Sequence, residues 1–175
     1  MHHFARLKVP TLCISLILAM VCYLWQTPAV FAETNSPITI VSIFSFSGTR
    51  PTNLGVKNGK LAACPSSPNC VSSQAPDTDK EHKIAPLTYS GSADDAFAKL
   101  KGIIEDIDNA TVVKSEDNYL YAEFSSNLMG FVDDVEFYND PENQTIHLRS
   151  ASRLGQSDLG VNRKRIESIR EKFTA

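Results

Sequence analysis

Between two stretches of helical period, apolar and polar residues alternate along positions 110–153, and this alternation constrains the fold more than any other feature of the chain. A side-chain period of two means strands with one buried and one polar face. The pattern places strands at 110–115, 118–126, 131–138 and 145–153, with turns at Asn127–Gly130 and Asn139–Gln144. Matching apolar positions across the turns sets Leu120 opposite Phe137, Ala122 opposite Val135 and Phe124 opposite Asp133. Across the later turn it sets Phe137 opposite Ile146 and Val135 opposite Leu148. One apolar face results, made of Leu120, Ala122, Phe124, Phe131, Val135, Phe137, Ile146 and Leu148. A one-residue slip would turn charges inward, so the register is specified.

The reverse face is polar. Glu123, Asp134 and Arg149 fall in one cross-strand row, and Tyr121, Glu136 and His147 in the next. Asp133 breaks the pattern by pointing to the apolar side, where a carboxylate needs a partner. Arg153, Arg163 and the hydroxyls of Ser150 and Ser152 are within reach for that role.

Two helices flank the strands. Ser92 caps the first, 92–107, with Asp95 completing a capping box; Ala93, Ala96, Phe97, Leu100, Ile103, Ile104 and Ile107 form its buried stripe. The second is expected over 159–173, capped by Ser157 or Asp158, with a thinner stripe of Leu159, Ile166, Ile169 and Phe173 that also holds Asn162. The fold expected is α+β: a small antiparallel sheet of about four to five strands with two helices on one face, in β-α-β-β-β-β-α order.

The first residues read differently. Arg6 and Lys8 precede an uncharged apolar run, Thr11–Trp25, and Val30 and Ala32 occupy the −3 and −1 positions of a cleavage site before Glu33. Residues 1–32 are therefore a signal peptide or a retained amino-terminal anchor, the run being shorter than the roughly 20 residues a span needs. Either reading puts the rest of the chain in an exported compartment (periplasm, thylakoid lumen or extracellular space) or on a membrane facing it. Cleavage would remove two of 17 basic residues and none of 20 acidic ones, taking the net charge from −3 to −5. An acidic chain is a poor candidate for nucleic acid, and none is expected as a partner.

Residues 33–80 read as an extended leader rich in Ser and Pro, leaving 81–175 as the α+β core. Within the leader, Ile38–Phe46 is either a strand or an exposed apolar arm. Cys64 and Cys70 enclose Pro65-Ser66-Ser67-Pro68-Asn69. In an exported chain such a pair defaults to a disulfide; a redox-active pair and a metal site completed by His82 and His147 are the alternatives.

Four segments then resemble a family of unknown function, domain of unknown function 1499, over about Arg50 to Phe173. They are Arg50-Pro51 with Leu54-Gly55-Val56, Cys64-Pro65 with Pro68-Asn69-Cys70-Val71-Ser72-Ser73, Phe131–Phe137, and Arg149-Ser150-Ala151-Ser152-Arg153 continuing to Asn162-Arg163. The resemblance implies no activity.

No nucleophile elbow, P-loop, dinucleotide fingerprint or zinc-protease motif occurs in the sequence, and no cofactor is expected. Two constellations carry chemistry. Glu123, Asp134, Glu136 and His147 on the polar sheet face suit acid–base or metal-assisted hydrolysis, or are ordinary cross-strand pairs. Asp133, Arg149, Ser150, Ser152, Arg153, Asp158, Asn162 and Arg163, where the last strand meets the last helix, suit an anion cradle or a lock between helix and sheet. The leading expectation is a non-catalytic module for a small anionic or amphipathic ligand or a partner protein. A membrane-associated assembly factor, held through the amino terminus, and a hydrolase are the alternatives.

Overall fold

A computed structural model describes residues 46–175. The expected signal or anchor, and all of the Ile38–Phe46 run but its last residue, lie outside the described residues.

The elements are β1 (Cys70–Ser72), β2 (Leu87–Thr88), α1 (Ala93–Glu105), β3 (Ala110–Glu116), β4 (Tyr119–Ser125), β5 (Val132–Asp140), β6 (Thr145–Ser152) and α2 (Val161–Thr174). All strand pairings are antiparallel in a six-stranded sheet of order β1-β6-β5-β4-β3, with β2 also on β6. The α+β architecture is as expected. The Ser/Pro-rich stretch supplies β1, pairing Cys70 with Ala151 and Ser72 with Arg149.

The β4–β5 register is the one expected, with Leu120 opposite Phe137 and Phe124 opposite Asp133. The β5–β6 register is not. Phe137 faces Leu148, and Asn139 faces Ile146, a shift of two residues. The cause is a tighter turn. Pro141–Asn143 forms one 3₁₀ turn capped by the Asp140 side chain, Gln144 takes a left-handed conformation, and β5 therefore runs on to Asp140. A two-residue shift keeps every side chain on its expected face but changes its neighbours. Glu123 and Asp134 align with Ala151, Tyr121 and Glu136 with Arg149, and Tyr138 with His147.

Both helices cover the apolar face. Phe97, Leu100 and Ile104 of α1, and Ile166, Ile169 and Phe173 of α2, pack on Leu120, Ala122, Phe124, Val135, Phe137, Ile146 and Leu148. The interior is closed to solvent, several positions being wholly inaccessible. Ser92 caps α1 as expected, accepting from the Asp95 amide. α2 starts two residues later than expected because Leu159 and Gly160 both have positive φ. Leu159 is thereby swung out of the expected stripe to 86 % exposure. Phe131 likewise falls one residue before β5, partly exposed and stacked on Phe46 at 5.4 Å.

The opposite face is not open to water. Leu54, Val56 and Leu61 pack on Tyr119, Tyr121 and Tyr138. Gly48 (φ +63°) lets the backbone pass Arg153 and Leu154 so closely that an added Cβ would sit 2.9 Å from the Arg153 Cβ. The described residues therefore form three layers: helices, sheet, and an irregular cover from residues 46–61.

Candidate functional site

The cover buries a charged lattice. Tyr119, Tyr121, Glu123, Asp134 and Glu136 project from β4 and β5, Arg149 and Arg153 from β6 and its extension, and Arg50 and Gly55 from the cover. Glu136, fully buried, accepts from the Gly55 amide at 2.7 Å and the Tyr119 hydroxyl at 2.8 Å, with Arg149 Nη1 at 3.4 Å from its other oxygen. Asp134 accepts from Arg153 Nε at 3.0 Å and Nη2 at 2.7 Å. The Tyr121 hydroxyl lies 2.5 Å from Asp134 and 2.9 Å from Glu123, so one proton serves two carboxylates. Glu123 also pairs with Arg153 and, at 2.6 Å, with Arg50. The pairs Asp134–Arg149 and Glu136–His147 that the expected register implied are replaced by Asp134–Arg153 and Glu136–Arg149.

These carboxylates are matched by three guanidinium groups. Burial works against the charge on Glu123, but hydrogen bonds from Arg153, Tyr121 and Arg50 outweigh it and hold the group below its usual range. Burial, reinforced by the neighbouring carboxylates, pushes the Tyr119 and Tyr121 hydroxyls far up, so neither supplies a phenolate near neutrality. His147 stands apart. Its Nδ1 is 3.3 Å from Ser73 Oγ, its ring stacks on Tyr138, and burial lowers its proton affinity. The general acid–base set expected on this face is thus not assembled, and among the described residues no three His, Cys, Asp or Glu side chains gather to hold a metal. One polar atom is left over: the buried Arg149 Nε has no hydrogen-bond partner among the described residues.

The second constellation divides. Asp133, Ser150, Ser152, Asp158 and Asn162 do meet where β6 passes to α2. Asn162, inaccessible, accepts from Ser150 Oγ at 2.5 Å and donates to the Asn69 carbonyl and Ser152 Oγ, each at 3.0 Å. Asp158 accepts from the amides of Gly160 and Asn162, which hold its carboxyl below the usual range against the effect of burial. Arg149 and Arg153 lie on the other side of the sheet, and Arg163 reaches the Glu81 carbonyl instead. The partner of Asp133 is Arg165, at 2.5 Å, whose guanidinium also lies over the Phe124 ring. None of the partners foreseen for Asp133 fills that role, and the arrangement is a lock between β1, β6 and α2 more than a cradle.

The cysteines form a disulfide, Cys64–Cys70, with Cα atoms 5.7 Å apart. His82 is held between Asp79 and the Ser67 carbonyl beside this loop. Those bonds raise its proton affinity although burial opposes the charge.

Sequence reasoning passed over Arg50 and Gly55 as site residues, although both fall in a segment carrying the family resemblance. Of the three consecutive basic residues Arg163–Arg165, only Lys164 is exposed. Lys164 borders an open cleft of about 460 Å³ with a floor of Phe124, Ile107, Ile169 and Val161 and a rim of Lys164, Arg165, Ser168 and Lys172. Neither Lys164 nor Lys172 pairs with a carboxylate among the described residues. A larger cleft of about 690 Å³ opens beside the start of α1, but its lysine, Lys99, stands over the Phe173 ring and shares the rim with Asp95. The α2 cleft is the better candidate because its apolar floor and unmatched cations coincide.

A protein family described as "Protein of unknown function (DUF1499)" matches residues 60–173. No curated protein matches the chain.

Proposed function

Since this chain belongs to the DUF1499 family, whose description assigns no activity, we propose that it is a non-catalytic module binding a small amphipathic anion in the cleft beside α2. The observation that carries the reading is the pairing of an apolar floor with two cations that no carboxylate answers. The buried carboxylates among the described residues are instead matched internally, as Asp134 with Arg153 and Asp133 with Arg165. A single alkyl chain would lie over Phe124 and Ile169, with its head group between Lys164 and Lys172. Each methylene removed from water contributes about 0.8 kcal/mol, and each exposed ion pair at most about 1 kcal/mol. Five or six methylenes and two ion pairs give at most about 7 kcal/mol, and the cost of association of about 4 kcal/mol or more leaves a Kd in the millimolar range or weaker.

Calorimetric titration with decanoate below its micelle concentration tests this, with acetate and decyltrimethylammonium as controls. Binding of decanoate alone, weakened about tenfold or more in Lys164→Glu/Lys172→Glu, is expected. Equal binding of the cationic amphiphile, or no change in the double variant, would sink the proposal.

A further inference from the structure

Exposed large apolar side chains concentrate at one end of the domain. Leu128 and Met129 occupy the β4–β5 turn, with Phe131 at its foot, and Leu154 and Leu159 occupy the loop between β6 and α2. Leu128 and Leu159 are 87 % and 86 % exposed. The two segments are one surface: Phe131, Leu154 and Val161 surround a common cup of about 200 Å³. Phe46 joins them, stacked on Phe131 with its amide donating to the Met129 carbonyl. The turn Ser126–Phe131 carries no charge. The second loop carries two: Arg153, which is turned to Asp134 under the cover, and Asp158, whose carboxylate is taken up by the amides of Gly160 and Asn162.

The path of the chain says what this tip meets. Residues 1–45 lead into the domain at Phe46, within the tip itself. They bring two apolar runs, Thr11–Trp25 and Ile38–Phe46, to that end of the sequence. A tip made of projecting leucines, free of unmatched charge and fed by lipid-compatible sequence, has the chemistry of an interfacial anchor. We infer that it docks on the surface of a lipid bilayer, Leu128 and Leu159 entering the acyl region and the sheet standing away from the membrane. The inference rests on these side chains and on the chain path, and is independent of the α2 cleft.

Hydrogen exchange of the full chain, with and without neutral phosphatidylcholine vesicles, tests it. Amides of 127–131 and 154–160 are expected to slow about fivefold or more on vesicles. Leu128→Asp/Leu159→Asp, both at sites too exposed to affect folding, abolishes that slowing even where the amino-terminal run still holds the chain on the vesicle. Lys164→Glu/Lys172→Glu retains it, which separates this result from failure of the cleft. Unchanged tip exchange on bound vesicles overturns the inference. So does protection already present without lipid, which would mean that residues 1–45 or a second copy of the chain covers the tip.

Discussion

Replacing Arg153 by Met keeps the length of the side chain and removes the charge at the centre of the covered lattice. Arg153 is 6 % exposed at its side chain, Asp134 1 %, and their contact is bidentate. The substitution leaves Asp134 buried with only the shared Tyr121 proton, while Glu123 keeps Arg50. Breaking one partner of such a pair costs about 3–5 kcal/mol, mostly through the stranded charge. Against a typical domain stability of about 5–15 kcal/mol, that is about a fifth or more, and a fall in Tm of about 10–20 °C. Far-UV circular dichroism in urea is the suitable assay, because the single tryptophan, Trp25, lies outside the domain. Asp134→Asn on the Arg153→Met background should recover part of the loss, giving a coupling of about 2 kcal/mol or more. A loss below about 1 kcal/mol would refute the reasoning, since it would mean that the carboxylates are hydrated and available for chemistry. Active-site groups are often neutral or costly to stability, which gives the opposite sign.

Three further outcomes follow from local geometry. Asn162→Ala removes the acceptor of the buried Ser150 hydroxyl and leaves the Asn69 carbonyl with the Ser152 amide alone, and should cost about 1–3 kcal/mol in chemical denaturation; less than about 1 kcal/mol would remove the lock. The raised proton affinity of His82 makes its charged pair with Asp79 stabilising below the ordinary histidine value of about 6.5, with the gain lost as pH rises through the higher folded value. The Tm difference between the protein and His82→Gln should therefore be larger at pH 5.5 than at pH 8.5, and an equal or reversed difference contradicts the assignment. Cys64→Ser/Cys70→Ser should cost about 2 kcal/mol, the small value that a short loop allows, with faster hydrogen exchange concentrated in β1; a uniform increase throughout the sheet would argue against a local staple.

The sequence made the two faces of the sheet legible but not their neighbours. Hydrophobic alternation is blind to a slip of two residues, because side-chain direction repeats every two. Leu120 was placed opposite Phe137 correctly, while the Asp140–Gln144 turn, tighter than its composition suggested, moved Arg149 from Asp134 to Glu136. The polar face was misread for a related reason. Glu123, Asp134 and Glu136 alternate identically whether water or another segment lies over them, and the covering residues Leu54, Val56 and Leu61 have no period to announce them. Asn162 was legible as an anomaly, a polar residue on an apolar stripe, and it is one of the most connected side chains of the lock. Arg165 was hidden among three consecutive basic residues whose individual directions only the helix register assigns.

The proposed site lies beside α2, and an amphipathic anion bound there would leave the buried carboxylates untouched. Nitrogen-15 spectra of the chain titrated with decanoate test it most directly. Saturable shifts are expected at Ile107, Phe124 and Val161–Lys172, with Glu123, Asp134 and Glu136 unmoved. Shifts centred on those three carboxylates, or none that saturate, would contradict it.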